Sequence, residues 1–216
     1  EIRNCDWSSD VCSSDLLIIC DADEVLLQFM AGLEELLESR GLYHDFSSFR
    51  IHGNVRVRAT GEPIPHEDVS GLFRDFFATR TRHVAPVPGA ADALARLARH
   101  AQVIVLSNVP EEAREARAEN LAQHGMPYPV IAGAGPKGPI VRGLVEGITR
   151  PVVFVDDLPP HHTSVAQEAP SVHRLHFVAD PRLARLLPPS PDAHSRIDDW
   201  ATAEPWIAAQ IGRAHV

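Results

Sequence analysis

The chain has 216 residues, 44% of them hydrophobic, and a formal net charge of −9. Those numbers suit one soluble globular domain with room for a small second lobe. No apolar run reaches the roughly 18–20 residues of a membrane span, and the acidic balance weighs against nucleic acid as the main partner.

The first predicted element is preceded by EIRNCDWSSDVCSSDL, residues 1–16, which has neither helical nor strand periodicity. It resembles a translated sequencing-library adapter, and the last six residues, IGRAHV (211–216), resemble the complementary adapter. Both ends are therefore read as non-native additions and set aside, with native residues expected to be missing beside them. Cys5 and Cys12 go with the leader. Cys20 then stands alone in an apolar run and reads as a small buried hydrophobe.

LLIIC (16–20) is the first strand, and it runs straight into Asp21, Asp23 and Glu24. Residues 28–86 then interrupt the strand pattern. FMAGLEELLESRGL predicts an amphipathic helix stopped near Gly41, and GLFRDFFATRTR (71–82) predicts another with Phe73, Phe76 and Phe77 on one face. Between them lies a polar, turn-rich stretch. This insertion is expected to be a mostly helical cap over the sheet. Residues 17–27 and 87–210 would form the core.

After the insertion, helical and strand-like segments alternate. PGAADALARLARHA (88–101), EEAREARAENLAQHG (111–125) and KGPIVRGLVEG (137–147) predict helices. VIVL (103–106), VVFV (152–155) and VHRLHFV (172–178) predict strands, with a short one at PVIAG (129–133), and PPSP (188–191) marks a turn or linker. Nearly continuous apolar strands separated by helices imply an α/β fold with a doubly wound parallel sheet.

Ligands of such sheets bind beyond the carboxyl ends of the strands. The residues following the strands are Asp21 and Asp23, then Ser107 and Asn108, then Asp156 and Asp157. Four carboxylates gathered at one edge repel one another and call for a cation. Carboxylate oxygens without Cys or His at ligand spacing favour a hard ion, and Mg²⁺ is the expected cofactor. Lys137 is the single lysine beside 19 arginines. A retained lysine points to a place that needs a compact ammonium.

Each of these residues also has a structural reading. Asp23 could cap a helix, as could Ser107 and Asn108. Asp157 could be a turn acid before Pro159 and Pro160, and Lys137 a surface residue. Glu24 reads as solvated. His161 and His162 read as surface-loop residues that could approach a substrate. Arg50, His52, Arg56 and Arg58 alternate as if on one strand face, solvated or binding an anionic tail. Trp200 and Trp206 read as pins for a C-terminal helix.

Taken in order, the motifs LIICDADEV, VIVLS, Lys137 at a helix start and VVFVDD resemble the haloacid dehalogenase superfamily of phosphohydrolases over residues 17 to about 180. The resemblance implies a Rossmann-like core and a Mg²⁺-dependent phosphatase acting on a small phosphorylated metabolite. Asp21 would be the nucleophile, forming an aspartyl-phosphate. Asp23 would be the general acid and base. Ser107, with Asn108 beside it, would bind the phosphoryl oxygens, helped by N–H groups at the next helix start. Lys137 would offset negative charge. Asp21, Asp156 and the backbone carbonyl of Asp23 would hold Mg²⁺, with Asp157 as a further or supporting ligand.

A phosphotransferase or phosphomutase of the same fold is the nearest alternative. Dehalogenation is disfavoured by Asp23, since it has no leaving oxygen to protonate. A receiver-like phosphoacceptor would place its paired acids after the first strand and its lysine after the last site strand, which is not the order here. A non-catalytic binding protein is the remaining alternative. The chain is expected to be cytoplasmic.

Overall fold

The computed structural model describes residues 16–212. The adapter-like stretches at 1–15 and 213–216 lie outside the described residues. Leu16 is buried, and its carbonyl accepts a hydrogen bond from the Gln102 amide at 2.8 Å. Ile211 is buried at the end of the last helix.

The main sheet has six strands. They are β1 (Leu17–Cys20), β4 (Gln102–Ser107), β5 (Val130–Ala132), β6 (Val152–Asp156), β7 (His173–His176) and β8 (Ser195–Arg196), in the spatial order β5-β4-β1-β6-β7-β8. Every pairing is parallel. The first strand thus lies inside the sheet, as a doubly wound topology requires. β8 carries no apolar run and was not expected from the sequence.

Both faces of β1 are buried, which is why it reads as unbroken apolar residues. Ile18 and Cys20 enter one core layer with Leu94 of α3 (Ala90–Leu97), Leu121 of α4 (Arg114–Gln123) and Ile207 of α8 (Trp200–Gly212). Leu17 and Ile19 enter the other layer with Val141 of α5 (Gly138–Val145) and Val165 of α6 (Pro159–Glu168). Trp200 is buried and donates its indole N–H to the Val25 carbonyl at 2.9 Å. The expected pin is therefore present, and it fastens α8 to the loop after β1. Trp206 is half-buried against the same core.

Residues 28–86 hold α1 (Phe29–Ser39), an antiparallel hairpin of β2 (Leu42–His44) and β3 (Val55–Val57), and α2 (His66–Thr79). The rings of Phe73, Phe76 and Phe77 all lie within 6.3 Å of the Phe29 ring. This is the shared aromatic face that the spacing on α2 predicts. The helix starts five residues earlier than expected, with Glu67 and Asp68 in its first turn, where carboxylates favour helix initiation. The insertion leaves and rejoins the core side by side. Leu27 bridges to Pro86, and the Gln28 amide donates to the Ala85 carbonyl at 2.8 Å.

α6 is a correction. Its sequence opens Pro159-Pro160, which reads as a turn, but proline is tolerated in a first helical turn, where the missing N–H has no partner anyway. His161 and His162 are therefore buried helix residues and not surface-loop histidines. α7 (Pro181–Leu186) starts in the same way, with the Asp180 side chain accepting from the amides of Arg182 and Leu183. Among the described residues no helix is long and apolar enough to cross a membrane.

Candidate active site

The strand register brings the polar residues together. Cys20 pairs with Val105 on one side and Val155 on the other. The residues just beyond therefore emerge at one edge. Asp21 is held there by its amide, which donates to the Val155 carbonyl at 2.8 Å. Its Oδ1 accepts from the Ala22 amide at 2.7 Å.

Lys137 precedes α5 and is fully buried. Its Nζ lies 2.8 Å from Asp21 Oδ1 and 2.7 Å from Asp156 Oδ2. Burial opposes the ammonium charge, but Asp156 and Asp21 outweigh it and raise the lysine pKa. The helix carrying Lys137 seats closely because residue 138 is glycine. A Cβ there would stand 2.3 Å from the Ser164 carbonyl oxygen, and the Gly138 amide instead donates to Ser164 Oγ at 3.0 Å.

Asp156 uses both carboxylate oxygens, since Oδ1 accepts from the Leu158 amide at 2.9 Å. The Asp157 carboxylate accepts no such hydrogen bond among the described residues. Burial, and then the charges of Asp156 and Asp21, push its carboxyl well above the usual range. Burial likewise raises Asp21, against the pull of Lys137. One carboxylate oxygen from each of Asp21, Asp156 and Asp157 can be chosen so that all three lie within 4.8 Å of one another. Three crowded buried carboxylates facing one ammonium fit a hard divalent cation with oxygen ligands.

Asp23 lies apart from that group. Its carboxylate faces Arg117 of α4, whose Nη2 is 2.8 Å from Oδ1 and donates to Oδ2 at 3.1 Å. Burial raises the Asp23 carboxyl and Arg117 works against the rise. Arg117 is fully buried, yet its Nε and Nη1 have no hydrogen-bond partner among the described residues. Sequence reasoning missed it. REARAENLAQ reads as part of a charged helix, and nothing local marks one of its arginines as internal.

Ser107 ends β4 fully buried, and its hydroxyl has no hydrogen-bond partner among the described residues. A buried hydroxyl without a partner is costly and asks for a ligand atom. Asn108 is exposed and donates from Nδ2 to the Gly135 carbonyl at 2.9 Å, tying this loop to the one before Lys137. The next helix, α4, begins only after a 3₁₀ turn at Glu111–Ala113.

Glu24, expected to be solvated, is buried. Its Oε1 accepts from the Met30 amide at 2.8 Å and its Oε2 from the Asp180 amide at 2.9 Å. It joins the start of α1 to the loop before α7, in a left-handed backbone conformation with φ 57°. Burial pushes its carboxyl up to about 7.

Two further histidines brace the acidic strand end from behind. His162 bonds the Asp156 carbonyl at 3.0 Å and His176 the Asp157 carbonyl at 2.8 Å. The Ser190 amide donates to His176 Nδ1 at 3.0 Å, so Nε2 carries the proton. Burial lowers both histidines to about 4.

Asp21, Asp23, Asn108, Asp157 and His161 line one cavity of about 430 Å³. Arg50 and His52 also line it. Arg56 and Arg58 do not. Arg56 pairs with Asp45 at 2.8 Å, and Arg58 lies over the Tyr43 ring at 5.8 Å. The alternating four thus divide into a cavity pair and a pair that braces the hairpin.

No family profile matches the chain, and no curated protein matches it in sequence. Solved structures match it in fold. A HAD family hydrolase of Deinococcus radiodurans, solved with bound phosphate and sodium, is 15% identical over 90% of this chain and 95% of that one, with a TM-score of 0.60. A HAD-type hydrolase of Bacillus subtilis bound to magnesium is 11% identical over 88% and 97%, with a TM-score of 0.61. The L-2-haloacid dehalogenase of Xanthobacter autotrophicus is 14% identical over 88% and 97%, with a TM-score of 0.56. The chain adopts the fold of the haloacid dehalogenase superfamily of hydrolases.

Proposed function

We propose that the chain is a Mg²⁺-dependent phosphatase that hydrolyses a small phosphorylated metabolite through an aspartyl-phosphate. The observation that carries this reading is the pair Asp21 and Asp23. The two carboxylates line one cavity but have different partners, Lys137 for the first and Arg117 for the second. Two carboxyl groups in different surroundings suit two roles.

Asp21 attacks phosphorus and breaks the bond to the leaving oxygen. Asp23 gives that oxygen its proton. Burial favours the protonated form of Asp23 that this step needs. Asp23 then takes a proton from water, which cleaves the aspartyl-phosphate, releases inorganic phosphate and restores Asp21. Lys137 holds the Asp21 carboxylate in place and offsets charge. Ser107 offers its unpartnered hydroxyl to a phosphoryl oxygen. Mg²⁺, held by Asp21, Asp156, Asp157 and the carbonyl of Asp23, would supply positive charge to the phosphoryl oxygens. Residues 28–86 act as the cap, with their side of the cavity choosing the substrate.

The similar structures with bound phosphate and with magnesium support this reading. The similarity to a haloacid dehalogenase leaves the fold open to both chemistries, and Asp23 favours phosphoryl transfer. The test is hydrolysis of p-nitrophenyl phosphate. We expect activity with Mg²⁺, loss in EDTA, and a fall of at least about 10³-fold in Asp21→Asn. Activity that survives Asp21→Asn would remove the nucleophile and the mechanism with it.

A further inference from the structure

The cavity above Asp21 has two unlike sides. The sheet side presents Asp21, Asp23, Asp157, Asn108 and His161. The remaining lining is dominated by Phe29, Met30, Phe49, Ile51, Phe73 and Leu183. The polar groups among these apolar ones are Glu24, Arg50, His52 and His66, and both carboxylate oxygens of Glu24 are already taken by the Met30 and Asp180 amides. Even these histidines are paired with one another. Their rings stack with centroids 4.0 Å apart and 23° between planes, and the His52 ring lies 5.7 Å from the Phe73 ring. His52 Nε2 has no hydrogen-bond partner among the described residues. Burial and then His66 lower the His52 pKa.

Away from Arg50, His52 and His66, such a wall serves a polyol poorly. Each sugar hydroxyl buried against it would lose water without gaining a partner. A ring or branched hydrocarbon would instead meet aromatic faces and displace water from apolar surface. The volume of about 430 Å³ lies toward the small end of ligand cavities and holds a small phosphorylated molecule.

We propose that the substrate is a phosphomonoester whose organic part is compact and apolar, an aromatic ring or a branched hydrocarbon, and not a sugar phosphate. This rests on the phosphatase reading of the same site and names the substrate class within it.

The test compares benzyl phosphate with glucose 6-phosphate at saturating Mg²⁺, each rate corrected with Asp21→Asn. Both esters release a primary alkoxide, so leaving-group reactivity does not decide the result. We expect kcat/KM for benzyl phosphate to be higher by about 100-fold or more. Phe73→Ser and Phe49→Ser should each narrow that ratio by about tenfold. Phe73 packs on Phe29, whereas Phe49 sits in the hairpin loop, so the second variant keeps the test decisive if the first unfolds, as circular dichroism would report. Asp21-dependent turnover in which glucose 6-phosphate equals or exceeds benzyl phosphate overturns the substrate class and leaves the phosphatase intact. A ratio unmoved by Phe49→Ser in a folded protein overturns it too. Asp21-dependent turnover of neither ester overturns both readings.

Discussion

Arg117 has no exposed surface, and its guanidinium meets the carboxylate of Asp23. Removing the partner of a buried charge leaves that charge without compensation. Asp23→Leu should therefore lower unfolding free energy by about 3 kcal/mol, measured by urea denaturation. Arg117→Met, which leaves a carboxylate 22% exposed at the cavity, should be less destabilising. The double variant should recover part of the loss, and strict additivity of the two losses would show that the pair is not coupled. The contrast with Asp21, Ser107, Lys137, Asp156 and Asp157 shows what was legible at this scale. Those five could be singled out because four follow or end apolar strands and the fifth is a lone lysine. Arg117 and Glu24 could not, because their burial is created by elements far away in the chain, Asp23 for the first and the Asp180 loop for the second.

Among the elements, α5 and α6 are the pair on which Lys137 depends. They pack tightly at Gly138 against Ser164. Gly138→Ala would force the helices apart by the width of a methyl group and carry Lys137 with them. Overpacking of this kind costs about 1–3 kcal/mol, and a shift of about 1 Å at a reacting group can cost about 10²-fold in rate. We expect a drop of that order in kcat for p-nitrophenyl phosphate, beyond what the fall in Tm accounts for. Full activity in Gly138→Ala would mean that the contact does not position Lys137. The spacing of apolar residues located α1, α3, α4 and α5 to within a few residues. It failed at α6, where two prolines outweighed the helical text behind them, and at β8, whose Ser195 and Arg196 pair with β7 without any apolar pattern of their own.

Across the whole molecule, protonation couples to folding through His162 and His176. Both are buried as neutral rings, with pKa near 4 against about 6.5 unfolded. A base with a depressed pKa makes the unfolded state bind more protons, so its contribution is complete above about 6.5 and is lost as pH falls toward 4. Glu24 runs the other way. Its carboxyl near 7, against 4.5 unfolded, makes the folded state lose stability as pH rises from about 4.5 to 7. The two effects overlap, so the difference between wild type and His176→Gln is the clean measurement. Denaturation at pH 7 and at pH 4.5 should show wild type losing about 2 kcal/mol more than the variant over that range. Equal losses would mean that His176 is not held neutral. The overall architecture was legible from strand order and helical spacing, because a parallel sheet buried on both faces leaves an unbroken apolar signature. The hairpin and the lining of the cavity were not, because they depend on how α1, α2 and the turn-rich stretch fold against one another. The lone lysine gives the molecule one more property. Apart from its amino terminus the chain has a single primary amine, and folding shuts that amine away between Asp21 and Asp156. Acylating reagents and amine cross-linkers should leave the folded body untouched, and the first lysine adduct to form would report that the strand edge has opened.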